Sequence, residues 1–284
     1  AAMLGPTGLD AFADKFPART FDVGIAEQHA VTSAVGMAHA GLHPVVAIYS
    51  TFLNRAVDQV IMDCALHNAG VTFALDRSGV TGDDGASHNG MWDMALLRVV
   101  PNLDLFAPRD GQQLKSALRN SLAKSDHPTV IRFSKGAVPV DISAVAQLGF
   151  ADVLLADERP DVSIVAIGVM AAAALEAAKT LQDQGFNVEV LDPVQVLPVS
   201  PALIEYLSSR DYVVTIEDGL IDGGIGEAIG SALRNAKAQT RVTSLGIPKQ
   251  FLDHATRKSI LHRLQLDSQG IAATIAEGLR ASVK

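Results

Sequence analysis

The sequence predicts an α/β protein built from two parallel-sheet domains. Three observations carry this. Short runs rich in Val, Ile and Leu alternate with stretches that repeat at the helical period, and they do so in both halves of the chain. Apolar residues make up 48% and charged residues 19%, enough for a sizeable core and too apolar for a disordered chain. Between the two alternations, residues 136–149 hold no sustained period and contain Pro139. That stretch reads as a linker between a first domain at 1–140 and a second at 150–284.

In the first domain, Phe21-Asp22-Val23 is expected as a short buried strand. A helix should follow over 26–40, with Ala34, Val35 and Ala38 on its period and Gly41 as its stop. Pro44 to Tyr49 is a continuous, β-branched apolar run, the pattern of a parallel strand covered on both faces. Asn54 to His67 has a helical period, and Val71 to Leu75 is the next strand. That strand empties into a polar loop, Arg77 to Gly90, too long for a simple connection. A helix near Trp92–Arg98, a strand at Leu103–Ala107, a helix capped by Asp110 and a strand at Thr129–Phe133 complete the half. The second alternation runs through strands at 162–167, 187–191, 212–216 and 242–245. Helices are expected at 170–184, 201–208 and 223–235, with two more at the C-terminus.

The net charge is −8 and uneven: 11 basic and 13 acidic residues in 1–140, but 12 and 18 in 141–284. This sign argues against a nucleic-acid partner, and the more neutral first half leaves its arginines available for a small anion. No apolar run approaches the ~18 residues of a membrane span, so no membrane partner is expected. A single cysteine, Cys64, excludes an internal disulfide and fits a reducing, cytoplasmic setting. It lies on an apolar helix face and reads as packing. The chain opens Ala-Ala-Met-Leu-Gly without an initiator Met, and is expected to be a fragment or one product of a split or processed chain.

In open α/β sheets ligands collect beyond the carboxyl ends of the strands, and the chemically distinctive residues fall there. Glu27 begins the 26–40 helix; alone, it reads equally as a charge favoured by the helix dipole. Tyr49 ends a strand and Phe52 follows on a Ser-Thr turn; alone, Phe52 would pass for a core residue. Arg55, Arg77 and Lys135 form a cationic group suited to an anion, guanidiniums by bidentate hydrogen bonding and lysine as a point charge. No metal-binding cluster is expected. His39 and His43 are separated by Gly41, and Asn89 follows Gly82-Asp83-Asp84-Gly85 too closely for a diphosphate-magnesium motif. Gly223-Gly224-Ile225-Gly226 reads as a tight turn into a helix.

Three stretches, Asp22-Val-Gly-Ile-Ala-Glu-Gln-His29, Tyr49-Ser-Thr-Phe-Leu-Asn-Arg55 and Asp76-Arg-Ser-Gly79, give the chain a specific resemblance. In this order and spacing they resemble the transketolase-type thiamine-diphosphate enzymes, and within them the 1-deoxy-D-xylulose-5-phosphate synthases. The resemblance runs along the whole chain and matches that family's second and third domains. It implies a pyrimidine-binding domain followed by a transketolase C-terminal domain. It implies a transferase that condenses pyruvate with glyceraldehyde 3-phosphate, releasing CO2, and feeds isoprenoid and thiamine biosynthesis.

The resemblance also implies roles. Glu27 would hydrogen-bond N1′ of the cofactor pyrimidine and favour the tautomer whose imino group takes the thiazolium proton. Phe52 would stack on the pyrimidine. Tyr49, Asp84 and His88 would line the substrate pocket, His88 as a proton-transfer or hydroxyl-binding group. Arg77 and Lys135 would hold the substrate phosphate, aided by Arg55; a lysine at 135 keeps the charge but loses the fork that the family's usual arginine supplies. Thiamine diphosphate is the implied cofactor, with Mg2+ bound by an N-terminal diphosphate-binding domain that this stretch lacks. A homodimer is implied, and the fragment alone is expected to be inactive. The alternatives are the C-terminal half of a transketolase, a 2-oxo-acid dehydrogenase β subunit, or a non-catalytic dimerisation fragment.

Overall fold

The computed structural model describes residues 1–281; the last three residues of the expected second domain lie outside the described residues. Two sheets organise the chain. In the first, β1 (Val45–Tyr49), β2 (Thr72–Asp76), β4 (Thr129–Arg132) and β3 (Asp104–Phe106) lie in that order and run parallel. Every residue of β4 is buried, as a parallel strand covered on both faces requires. The fifth strand of this sheet comes from the other half of the chain: β9 (Gln195–Leu197) pairs antiparallel with β3.

The second sheet has the order β11-β10-β7-β8-β6-β5, with β5 (Ala146–Gln147), β6 (Asp152–Leu155), β7 (Val162–Ala166), β8 (Val188–Asp192), β10 (Tyr212–Leu220) and β11 (Arg241–Ile247). Its centre is parallel, and β5 and β6 add an antiparallel edge. The architecture is thus α/β with two parallel-dominant sheets. The three antiparallel strands are the departure from the expected all-parallel pattern. Each is at most four residues long, too short to show a period; β6 and β9 also pair with β8 and β3, about 40 and 90 residues away, while β5 pairs locally with β6.

Two local expectations fail. Residues 21–23 form no strand; Val23 instead donates its N–H to the Ala1 carbonyl at 3.0 Å. The expected helix over 54–67 is a 3-10 turn (Ser50–Arg55), a single α-turn (Val57–Gln59) and a π-helical turn (Val60–Ala65). The wider turn still buries Val60, Cys64 and Ala65, so the apolar period survives while the hydrogen-bond pattern changes. The Glu27–His39 helix is as expected, and it buries Ala30, Val31, Ala34 and Val35 on one face. Asp110 caps the Gly111–Leu122 helix, accepting from the Gln113 N–H at 2.9 Å.

The halves are packed against each other through shared apolar cores. Val46, Phe73 and Leu105 of the first sheet cluster with Val165, Leu191 and Val213 of the second, and Val80 and Met91 join the core around β7 and β10. The 136–149 stretch is mostly exposed, but Arg109 and Asp110 stitch it down through the Ile142 carbonyl and N–H, each at 3.0 Å. Among the described residues no helix is long and apolar enough to cross a membrane.

Candidate active site

The carboxyl ends of β1, β2 and β4 deliver Tyr49, Asp76–Arg77 and Phe133–Lys135 to one rim of the first sheet. β1 and β2 are in register there, Tyr49 opposite Asp76. The chain turns immediately after Tyr49 into the 3-10 turn, which projects Phe52 and Arg55 from the same rim. The Glu27–His39 helix packs against β1 and this turn, and its first residue lies beside Arg55.

Glu27 is buried, 1% exposed, and neither carboxylate oxygen has a hydrogen-bond partner. Its nearest cation is Arg55, whose Nη1 stands 3.9 Å from Oε2 while the guanidinium remains largely in solvent. Burying an ionisable oxygen without a partner is costly, and such groups in folded proteins call for an explanation.

From Arg55 the contacts run on without a break. Its guanidinium lies 5.6 Å from the Phe52 ring centroid. Phe52 is stacked on Tyr49, with centroids 5.7 Å apart and planes 16° from parallel, and meets His88 edge-on at 5.5 Å. Arg77 covers Tyr49 with its guanidinium 4.3 Å from the centroid, and it ion-pairs with Asp84. Asp84 in turn accepts from Lys135 Nζ at 2.6 Å. All eight residues singled out in the sequence therefore lie in one contact network. Phe52 spends one face on Tyr49, and the Tyr49 hydroxyl donates to the Pro6 carbonyl at 3.3 Å.

A cavity of about 340 Å³ opens at this rim, lined by Asp76, Arg77, Arg109, Phe133 and Lys135 among others. Burial pushes the Asp76 carboxyl up, against the pull of the Arg77 N–H and guanidinium. Burial acts the same way on Asp84, but hydrogen bonds from Lys135 and Arg77 outweigh it and hold its carboxyl below the usual range.

The loop at 77–90 owes its shape to residues that sequence reasoning passed over. Asn89 is buried; its Oδ1 accepts from the Thr81 N–H at 2.9 Å, and its amide donates to the Gly85 carbonyl at 3.2 Å. Ser50 and Thr51 donate to the carbonyls of Gly90 and Ser87, each at 3.0 Å, fastening the loop to the turn that carries Phe52. Beneath the site, Arg132 bridges Asp93 and Asp218 at 2.8 Å each, and Arg257 reaches Asp218 at 3.0 Å. Arg109, on the cavity wall, bridges Asp152 and Asp192 at 2.7 Å each. These arginines tie the site to the second sheet. Their partners lie 39 to 86 residues away, so no local spacing could reveal them. Among the described residues no group of three or more His, Cys, Asp or Glu could hold a metal ion.

Known proteins resemble the chain along its full length. Residues 1–140 match the family model for the transketolase pyrimidine binding domain, and residues 151–271 match that for the transketolase C-terminal domain. A 1-deoxy-D-xylulose-5-phosphate synthase 1 of Kitasatospora griseola is 53% identical over 281 residues, covering 99% of this chain and 43% of that protein. The 1-deoxy-D-xylulose-5-phosphate synthase of Rhodococcus erythropolis is 55% identical over 278 residues, covering 97% and 43%. The chain thus spans less than half the length of these curated relatives. Among solved structures, a split gene transketolase described as an inactive β4 tetramer superposes with a TM-score of 0.85 at 30% identity, covering 99% of this chain and 91% of that one. A Pichia stipitis transketolase variant superposes at 0.76 with 19% identity over 91% of this chain and 37% of that one, a likeness of fold alone. With its two halves matching successive transketolase domains and a transketolase chain following its trace almost end to end, the chain belongs to the transketolase family.

Proposed function

We propose that the chain is the pyrimidine-binding and C-terminal part, 1–140 and 150–284, of a 1-deoxy-D-xylulose-5-phosphate synthase that joins pyruvate to glyceraldehyde 3-phosphate with loss of CO2. The observation that carries this reading is the Glu27 carboxylate, buried with both oxygens unpartnered beside an aromatic cluster. A protonated ring nitrogen of an aminopyrimidine would satisfy it. The names of the 52–55% identical relatives support the same choice.

Thiamine diphosphate would supply the electron sink that lets a 2-oxo acid lose CO2. Glu27 would share a proton with N1′ of its pyrimidine, and Phe52 would present its ring to the pyrimidine face. His88, against Phe52, would exchange a proton with substrate or bind its hydroxyls; Tyr49 would wall the pocket. Arg77 and Lys135 would bind the substrate phosphate at the mouth, with Arg55 extending the positive field. The cofactor diphosphate and Mg2+ would be held by the N-terminal diphosphate-binding domain of the longer relatives. Cofactor binding and turnover would then require that domain, in a cytoplasmic homodimer.

Calorimetric titration of thiamine diphosphate into the chain, with and without the N-terminal domain, tests this. Tight binding and turnover of pyruvate plus glyceraldehyde 3-phosphate are expected only with it. The transketolase alternative is favoured by the superposition on the split transketolase chain. Turnover of xylulose 5-phosphate in place of pyruvate would select it.

A further inference from the structure

Resting on the reading of Arg77 and Lys135 as the phosphate site, we propose that Asp84 is a built-in competitor for that phosphate, which must be displaced before a phosphorylated substrate is held. Its two oxygens are spent on the two cations: one faces Arg77 Nη1, the other accepts from Lys135 Nζ at 2.6 Å. No other side-chain ion pair engages Arg77 or Lys135 among the described residues. A carboxylate placed between a guanidinium and an ammonium reproduces what a phosphate would offer them, with one unit of charge and two oxygens. A phosphate monoester brings close to two charges and three terminal oxygens, so it outbids the carboxylate for the same donors. An unphosphorylated aldehyde does not. Asp84 therefore raises selectivity for the phosphate group at the expense of affinity.

The local backbone suits an exchange. Asp83 and Asp84 stand at the tip of a tight turn in which the Gly85 N–H donates to the Gly82 carbonyl at 3.0 Å, and both glycines have positive φ, +78° and +83°. The two ends differ. A side chain at Gly82 would press within 2.5 Å of the Arg257 backbone, whereas at Gly85 only the His254 ring comes near, at 3.9 Å. The turn is fixed at Gly82 and open at Gly85. Beyond Gly85 the chain enters the short Ala86–His88 turn, and the Gly85 carbonyl accepts from both the His88 N–H and the Asn89 amide. Releasing Asp84 thus acts on the segment that sets the His88 ring against Phe52, so occupancy of the phosphate site is communicated to the proton-transfer candidate.

The test is the affinity of the chain for inorganic phosphate, measured calorimetrically at neutral pH and fixed ionic strength for four proteins. Asp84→Asn removes the competing charge at nearly constant shape, and should tighten phosphate binding roughly tenfold or more, since a charged competitor for two donors is gone. Asp84→Glu keeps the charge and should bind as weakly as the parent. The Arg77→Ala/Lys135→Ala double variant should lose the site. Equal or weaker binding by Asp84→Asn overturns the competitor role, and if the double variant has also lost binding the phosphate site itself stands. Undiminished binding by the double variant overturns both.

Discussion

The carboxylate of Glu27 and the guanidinium of Arg55 stand 3.9 Å apart, close enough to attract and too far to hydrogen-bond. Arg55 is more than half exposed while Glu27 is sealed in, so solvent weakens the pair from one side only. The buried charge is left under-compensated. A residue selected for stability alone would not stand this way, and that separates two effects of changing it. If Glu27 manages a proton as proposed, Glu27→Gln should lower kcat of the chain assembled with the N-terminal domain by about 10²–10⁴-fold, the range lost with such a group. The same change should leave the thermal midpoint of the chain unchanged or raise it, because a neutral isostere removes an uncompensated buried charge. Melting and kinetics on the same preparation check both. A variant that loses activity and also melts well below the parent would assign Glu27 a structural role.

Arg132 is the reverse case. It is buried, with two carboxylates at 2.8 Å, and Asp218 belongs to the other sheet. Truncating one member of a buried charge group strands the rest. Arg132→Leu should cost about 3–5 kcal/mol, far more than removal of a surface arginine. Chemical denaturation gives the figure directly. A loss below about 1 kcal/mol would mean that water reaches Asp93 and Asp218 and takes over the role of Arg132.

The division between what the sequence disclosed and what it hid follows from range. β1, β2 and β4 were legible because a parallel strand covered on both faces writes its burial into consecutive apolar residues. That the eight candidate residues would come together was legible because they sit at strand ends and in motifs of a few residues each. β9 was not, because Gln195–Leu197 becomes a strand only by pairing with β3, some ninety residues earlier. The π-turn at 60–65 was read as α-helix because 3.6 and slightly wider periods bury the same side chains over two turns. Arg109 and Asp218 had no local signal, and Arg132, visible at a strand end, gave no sign of its partners Asp93 and Asp218. Each looks like an ordinary charge until the fold brings its partners in. The Asp84 pairing was hidden for a different reason: the residue was visible, but its partner was expected to be substrate rather than Arg77 and Lys135.

Gly79 shows how closely the loop is seated on the second sheet. Its φ is +73°, and a β-carbon there would fall 2.0 Å from Asp218 Oδ2, an oxygen already fixed by Arg257. Gly79→Ala should destabilise by more than about 1 kcal/mol through backbone strain alone, with the clash added. It should also expose the 77–90 loop to limited proteolysis, because Asp218 cannot retreat without leaving Arg132 and Arg257. Parent-like denaturation and proteolysis would show that the loop seats without Gly79.

Glu217 makes stability depend on pH in a direction opposite to that of most acids. Burial pushes its carboxyl from the ordinary 4.5 up to about 7, although the Gly226 and Ile225 N–H groups at the start of the Ile225–Asn235 helix pull it back. Burial likewise raises Asp192 to about 6. Between pH 4.5 and 7 the folded chain holds a proton on Glu217 that the unfolded chain has released. The resulting stabilisation is complete below pH 4.5 and is lost as pH rises through 7. Glutamine is uncharged like the protonated acid, but its amide nitrogen cannot accept the second of the two backbone N–H groups, so Glu217→Gln should start below the parent near pH 4.5. It should then gain on the parent toward pH 7.5, with the thermal midpoint of the variant rising relative to that of the parent across that window. Melting curves that stay parallel for the two proteins from pH 4.5 to 7.5 would show that Glu217 is ionised throughout. In that case the two backbone N–H groups, with Arg132 nearby, outweigh burial.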